Sequence, residues 1–147
     1  MRVAVIDGQG AGIGSSIIRK IRQLCGNNLE IWALGTNDIA TSQMMKAGAN
    51  RGATGEGAIC DCAGQVNVIL GSLSILVCHS MMGEVTPAMV EAVGTSEAVK
   101  ILLPLVSEPV TVVGAIGAPL PHLVERLVSG YLVAVLEDGG CSLPVRG

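Results

Sequence analysis

The chain has 147 residues, half of them apolar, with 14% charged and a net charge of −3. That length suits a single domain over residues 1–147 with a real core, and weak acidity with only Trp32 and Tyr131 as aromatics gives no basic patch or base-stacking platform, which excludes nucleic acid as a partner. No apolar run is long enough to cross a membrane, and a mean hydropathy of +0.59, high for a soluble monomer, points to a homo-oligomer with a dimer favoured.

Val3-Ala4-Val5-Ile6 reads as the first strand, because four apolar residues in a row suit a strand covered on both faces, as in a parallel sheet. It runs into Asp7-Gly8-Gln9-Gly10-Ala11-Gly12-Ile13-Gly14, and then into a helix where Ile13, Ile17, Ile18, Ile21 and Leu24 recur at helical spacing. Glycine has no Cβ, so the N–H groups from Gly10 to Gly14 can stand against an anionic ligand at the positive end of that helix. Strand, glycine turn and helix follow in the order that nucleotide binding demands.

The spacing G-x-x-x-G-x-G, on Gly8, Gly12 and Gly14 with Ile13 between the last two, resembles the cofactor loop of the short-chain dehydrogenases over about residues 1–35. The resemblance implies phosphate binding at Gly8, Gly10, Gly12 and Gly14, with NAD or NADP as the cofactor or, failing those, another phosphate-bearing nucleotide. The Tyr-x-x-x-Lys pair of those enzymes has no counterpart, since Tyr131 is followed four positions on by Val135, so the reaction is not implied.

Gly26-Asn27-Asn28 is a stop and turn, and Leu29 to Leu34 reads as a second strand. Its tip, Gly35-Thr36-Asn37-Asp38, falls where a dinucleotide-binding unit meets the adenosine ribose. No arginine or lysine stands there to meet a 2′-phosphate. Asn37 or Asp38 serves either as the N-cap of a helix from Ile39 to Ala47 or as a ligand contact. The expected cofactor-binding set is therefore Asp7, Gly8, Gln9, Gly10, Ala11, Gly12, Ile13, Gly14, Gly35, Thr36 and Asn37. The glycine-dense stretch from Gly48 to Gly57, with Arg51, reads as a turn or a ligand lid, and Thr54 as the cap of a short helix through Ala63.

Val66 to Leu70 is the third expected strand, and the loop from Cys78 to Glu84 precedes a good helix start at Thr86-Pro87. Such a loop lies near the carboxyl ends of parallel strands, where open α/β sheets bind ligands. Cys78, His79, Ser80 and Glu84 are thus the candidates for catalytic chemistry, against structural roles for each. Cys60-x-Cys62 is too sparse for zinc, so no metal site is expected, and the five cysteines read as free thiols. Val99 to Pro104 and Val110 to Gly114 read as an antiparallel edge pair, because residues 105–109 are too few for a parallel crossover. Leu120, Leu123, Val124, Leu127 and Val128 mark a final amphipathic helix with His122 on its solvent side. The apolar stretch from Tyr131 to Leu136 adds a strand or covers the sheet, and with Val110 offers a dimer contact; the tail from about residue 137 reads as loose. The chain opens on a strand without a charged and apolar leader, which fits a cytoplasmic protein.

The combination of DGQGAGIG, ALGTN, ATSQMMKAGANRGATGEGAI, SMMGEVTP, ILLPL and VTVVG resembles a small bacterial family carried as a domain of unknown function, over about residues 1–128. The resemblance implies a Rossmann-like fold. With the elements above this is an α/β three-layer sandwich, its mostly parallel sheet ending in an antiparallel edge. The expected function is a nucleotide- or dinucleotide-binding module serving as a sensor or accessory subunit. The alternatives are a small NAD(P)-dependent oxidoreductase working through the His79 to Glu84 loop, and a structural subunit without a ligand.

Overall fold

The structure, a computed structural model, describes residues 1–106, 109–115 and 117–138. Strand β1 (Arg2–Asp7) is followed by α1 (Gly12–Cys25), β2 (Glu30–Gly35), α2 (Asp38–Lys46), β3 (Arg51–Thr54) and α3 (Glu56–Ala63). Then come β4 (Val68–Ser72), a 3₁₀ turn over Leu73–Leu76, α4 (Pro87–Thr95) and β5 (Val99–Leu103). One helical run closes the described chain: α5 (Leu120–Glu125), a wide π turn over Arg126–Leu132, and α6 (Val133–Glu137).

The five strands form one sheet, all parallel, in the order β3-β2-β1-β4-β5. The chain starts in the middle, builds outward to β3, and returns to lay β4 on the free side of β1. That reversal opens a crevice at the carboxyl ends of β1 and β4, where their connections depart in opposite directions. Successive side chains of a strand point to opposite faces. Val3, Val5, Ile31 and Ala33 accordingly join α1, α2 and the final helix in one core, and Ala4, Ile6, Trp32 and Leu34 join α3 and α4 in the other. Both faces being covered, the strands can be apolar throughout.

The sheet has no antiparallel edge among the described residues. Strand β5 pairs β4 in parallel from Val68↔Val99 to Ser72↔Leu103, with α4 as the crossover. Val110 to Gly114 forms no strand: the Ala115 N–H donates to the Val112 carbonyl at 3.2 Å, Gly114 has φ +88°, and Val113 is 96% exposed. The described residues 109–115 therefore form an exposed turn rather than a strand of the sheet.

The stretch read as a turn or lid contains β3 instead. Its Gly52 lies so close to α2 that a Cβ would stand 2.9 Å from both Met45 Sδ and Thr41 Cγ2, so packing, not mobility, accounts for that glycine. Helix α3 starts from Gly55, at φ +97°, without a side-chain cap, while Thr54 shares a 2.7 Å hydroxyl bond with Thr41. At the amino-terminal half of the sheet the guanidinium carbons of Arg2 and Arg51 lie 5.2 and 5.7 Å from the Trp32 ring centroid, and both side chains pair with Glu30.

Tyr131 to Leu136 is helical rather than extended, and turns Leu132 and Val135 into the core. The residues marking the last helix behave as their spacing predicts: Leu123, Val124, Leu127 and Val128 are buried and His122 is exposed. No helix among the described residues is long and apolar enough to cross a membrane. The expected loose tail lies, beyond residue 138, outside the described residues.

Candidate functional site

Asp7, the last residue of β1, is 5% exposed, and its carboxylate holds the glycine turn: Oδ1 accepts the Gly8 N–H at 2.8 Å and Oδ2 the Gly14 N–H at 2.7 Å. Burial pushes the Asp7 carboxyl above its ordinary range, against the pull of those two N–H groups. The turn is closed by the Ala11 N–H on the Gly8 carbonyl at 2.8 Å. A Cβ on Gly8 would stand 2.7 Å from Met81 Sδ, and one on Gly14 would stand 2.7 Å from Met44 Sδ and 3.0 Å from Asp7 Cβ. Asp7, Gly8 and Gly14 thus shape the turn from inside.

Gly10 and Gly12 are different. Both are exposed, a Cβ on either would meet nothing within 4 Å, and neither has a positive φ. Positive φ falls instead on Gln9 and Ala11, at 51° and 55°. Glycine therefore stands where the fold does not ask for it, and is missing where the backbone would favour it. Among the described residues the amides of Gly10, Gly12 and Ile13 have no hydrogen-bond acceptor.

Glu84 reaches this turn from the loop between β4 and α4. Its Oε1 accepts from the Gln9 N–H at 3.1 Å, from Thr36 Oγ1 at 2.7 Å and from Asn37 Nδ2 at 3.1 Å, and Oε2 accepts from the same Asn37 nitrogen at 3.1 Å. Asn37 also caps α2, accepting the Ala40 N–H at 2.8 Å, and donates to the Gln9 carbonyl at 3.2 Å. The capping role read from the sequence is filled by Asn37 Oδ1, while Nδ2 of the same carboxamide binds Gln9 and Glu84. Beside this hub lies an open pocket of about 580 Å³ lined by Gln9, Asn37, Asp38, Ile39, Met82 and Glu84.

The backbone around the pocket is strained. Gln9, Ala11, His79, Met81 and Met82 are the five non-glycine residues with positive φ among those described, and all lie in the two loops that leave β1 and β4. Left-handed conformations cost about 1–2 kcal/mol per ordinary residue, and such strain concentrates at functional sites.

Residues 2–135 match the family described as a domain of unknown function, DUF3842. The chain belongs to that family. No curated protein and no solved structure matches it. The DUF3842 match takes in β1, both strained loops and every residue of the pocket.

Of the candidate residues in this DUF3842 chain, Gln9, Thr36, Asn37 and Glu84 meet in one hydrogen-bonded group, while Gly10, Gly12 and Ile13 form the adjoining surface. Ala11 and Gly35 are buried. Cys78 and His79 are exposed, and Ser80 is buried with its hydroxyl donating to the Ser74 carbonyl at 2.5 Å. The pocket also takes Asp38, read from the sequence as a cap or a ligand contact, together with Ile39 and Met82, which the sequence reading did not single out. Ile39 and Met82 are 67% and 91% exposed, and an apolar residue left so bare beside a polar turn is a signal that only the structure supplies.

Burial pushes the Glu84 carboxyl up, but the bonds from Thr36, the Gln9 N–H and Asn37 together hold it below the usual carboxylate range. A lowered value in the folded state contributes stability above the ordinary value of 4.5 and loses it as pH falls. Asp7, with its raised value, acts in the opposite sense. Urea unfolding should therefore show Glu84→Gln less stable than wild type near neutral pH, with the gap narrowing as pH falls below the ordinary value of 4.5. A gap that stays constant with pH would mean that the ionised carboxylate does not hold the two loops together.

Proposed function

We propose that this DUF3842 protein is a nucleotide- or dinucleotide-binding module, a sensor or accessory subunit, with phosphate at the glycine turn and the rest of the ligand in the adjoining pocket. The observation that carries the reading is the bare backbone at Gly10 and Gly12, which no packing or dihedral requirement explains and which leaves three amides open at the start of α1. Anions bind such helix starts through the N–H groups and the helix dipole together.

Three further features support it. The parallel order β3-β2-β1-β4-β5 places the turn at the reversal of strand order, where Rossmann-like sheets bind their ligands. The likeness of the Gly8, Gly12 and Gly14 spacing to the short-chain dehydrogenase loop points to NAD or NADP before other nucleotides. Ile39 and Met82 supply apolar flanks for a flat heteroaromatic ring.

The test is mass spectrometry of small molecules released from the purified, denatured protein, joined to calorimetric titration of the stripped protein with NAD⁺, NADP⁺, ADP and ATP. A released nucleotide, or saturable binding of one of the four, is the expected result. Neither a released nucleotide nor heat from any of the four would leave the turn a structural device.

A further inference from the structure

A dinucleotide-binding sheet ordinarily places an acid at the end of its second strand to take the ribose hydroxyls. Here that end carries Thr36 and Asn37, and the carboxylate comes from another element: Glu84 crosses from the β4–α4 loop and is fixed by both of them and by the Gln9 N–H. The two oxygens are not equally engaged. Among the described residues, Oε1 accepts three bonds, whereas Oε2 accepts only one, from a nitrogen it shares with Oε1. Each carboxylate oxygen offers about two lone-pair sites, so Oε2 retains the capacity to accept from a ligand hydroxyl. The lining adds Asp38 as a second acid and, among the described residues, includes no lysine or arginine.

Gln9 joins this carboxylate to the phosphate surface, since its N–H meets Glu84 while the next residue, Gly10, presents the first open amide. A ligand held by phosphate at Gly10 to Ile13 would thus carry its sugar to Glu84. We propose that this pocket selects a nucleotide whose ribose has free 2′- and 3′-hydroxyls, with Glu84 Oε2 as their acceptor, and rejects one bearing a 2′-phosphate. The inference rests on the nucleotide-binding reading above and names the ligand class within it. A 2′-phosphate would bring its charge against two carboxylates with no cation among the described lining residues to offset it, and like charges set face to face are a strong means of discrimination.

The experiment is calorimetric titration of the full chain with NAD⁺ and NADP⁺, and with ADP and 2′-deoxy-ADP, on wild type, Glu84→Gln and Asp38→Asn. Wild type should bind NAD⁺ at least about tenfold more tightly than NADP⁺ and ADP more tightly than its 2′-deoxy analogue, and Glu84→Gln should narrow both ratios to within about threefold. Asp38 is exposed at the first position of α2, so Asp38→Asn tests the charge without disturbing the hub, and it should narrow only the NADP⁺ ratio. Equal affinity of wild type for NAD⁺ and NADP⁺, or ratios that neither substitution alters, would overturn the selectivity while leaving nucleotide binding in place. Failure of these four and of ATP to bind, with no nucleotide released from the denatured protein, would overturn both.

Discussion

Gly12→Val is expected to weaken NAD⁺ binding by about 100-fold while leaving the unfolding temperature unchanged, the fold-change corresponding to two lost charge-assisted bonds of about 1.5 kcal/mol each. The two halves of that result come from separate observations. A Cβ at residue 12 meets nothing within 4 Å, and the residue is the first of α1 with an ordinary backbone conformation, so the fold accommodates the larger side chain. The same open space is what a phosphate needs in order to reach the Gly12 and Ile13 amides, and a branched side chain fills it. Calorimetry on the variant, with thermal unfolding as the control, gives both readings. Equal affinity in wild type and variant would place the ligand away from the turn.

A different glycine should show the reverse pattern. Gly35→Ala is expected to destabilise the protein by about 3 kcal/mol and to lower its unfolding temperature by about 10 °C. The added Cβ would stand 2.6 Å from the Thr41 amide nitrogen and 2.8 Å from the Asn37 carbonyl oxygen, both backbone atoms, besides colliding with the Thr41 hydroxyl. Those atoms cannot retreat easily. Thr41 donates its N–H to that same Asn37 carbonyl at 3.2 Å, and Asn37 is held in turn by the Ala40 N–H and by Glu84. Gly57→Ala is the matched control, since a Cβ there meets nothing within 4 Å and the residue lies within α3, where alanine is the better helix former. Thermal and urea unfolding of both variants check the contrast. A Gly35→Ala protein as stable as wild type would show that α2 can shift away from the tip of β2.

Much of this architecture was legible in the residues. Val3 to Ile6 and Leu29 to Leu34 announce buried parallel strands because both sheet faces are covered, and the Thr86-Pro87 start appears as read, with Thr86 accepting the Met89 N–H at 3.3 Å. Strand β3 was not legible. Arg-Gly-Ala-Thr has neither an apolar run nor an alternation, since an edge strand needs little burial and its glycine answers to α2 across the chain. The opposite error has the opposite cause: Val110 to Val113 has the composition of a strand, but composition does not supply a partner, and Val113 is left exposed. At the site, the strand-turn-helix order marked the glycines, but not which of them face outward. That division depends on Met44, Met81 and Thr36, which lie far along the chain from the turn. The meeting of Glu84 with Asn37 spans 47 positions, and local spacing carries no trace of such a contact.

The two guanidinium groups over Trp32 determine what light can report about this protein. Trp32 is its single tryptophan and is 6% exposed, so intrinsic emission is the signal of one indole held near two cations. That indole belongs to the amino-terminal half of β2, three residues and about 10 Å along the strand from Gly35. A ligand seated beyond the strand's far end leaves the immediate surroundings of the indole untouched, so a fluorescence titration has no direct optical handle on binding. The same fluorophore is well placed to follow the β2–β3 border during denaturation. If its midpoint precedes that of the far-ultraviolet circular dichroism, the β3 edge peels away before the rest of the sheet, and the unfolding is not two-state.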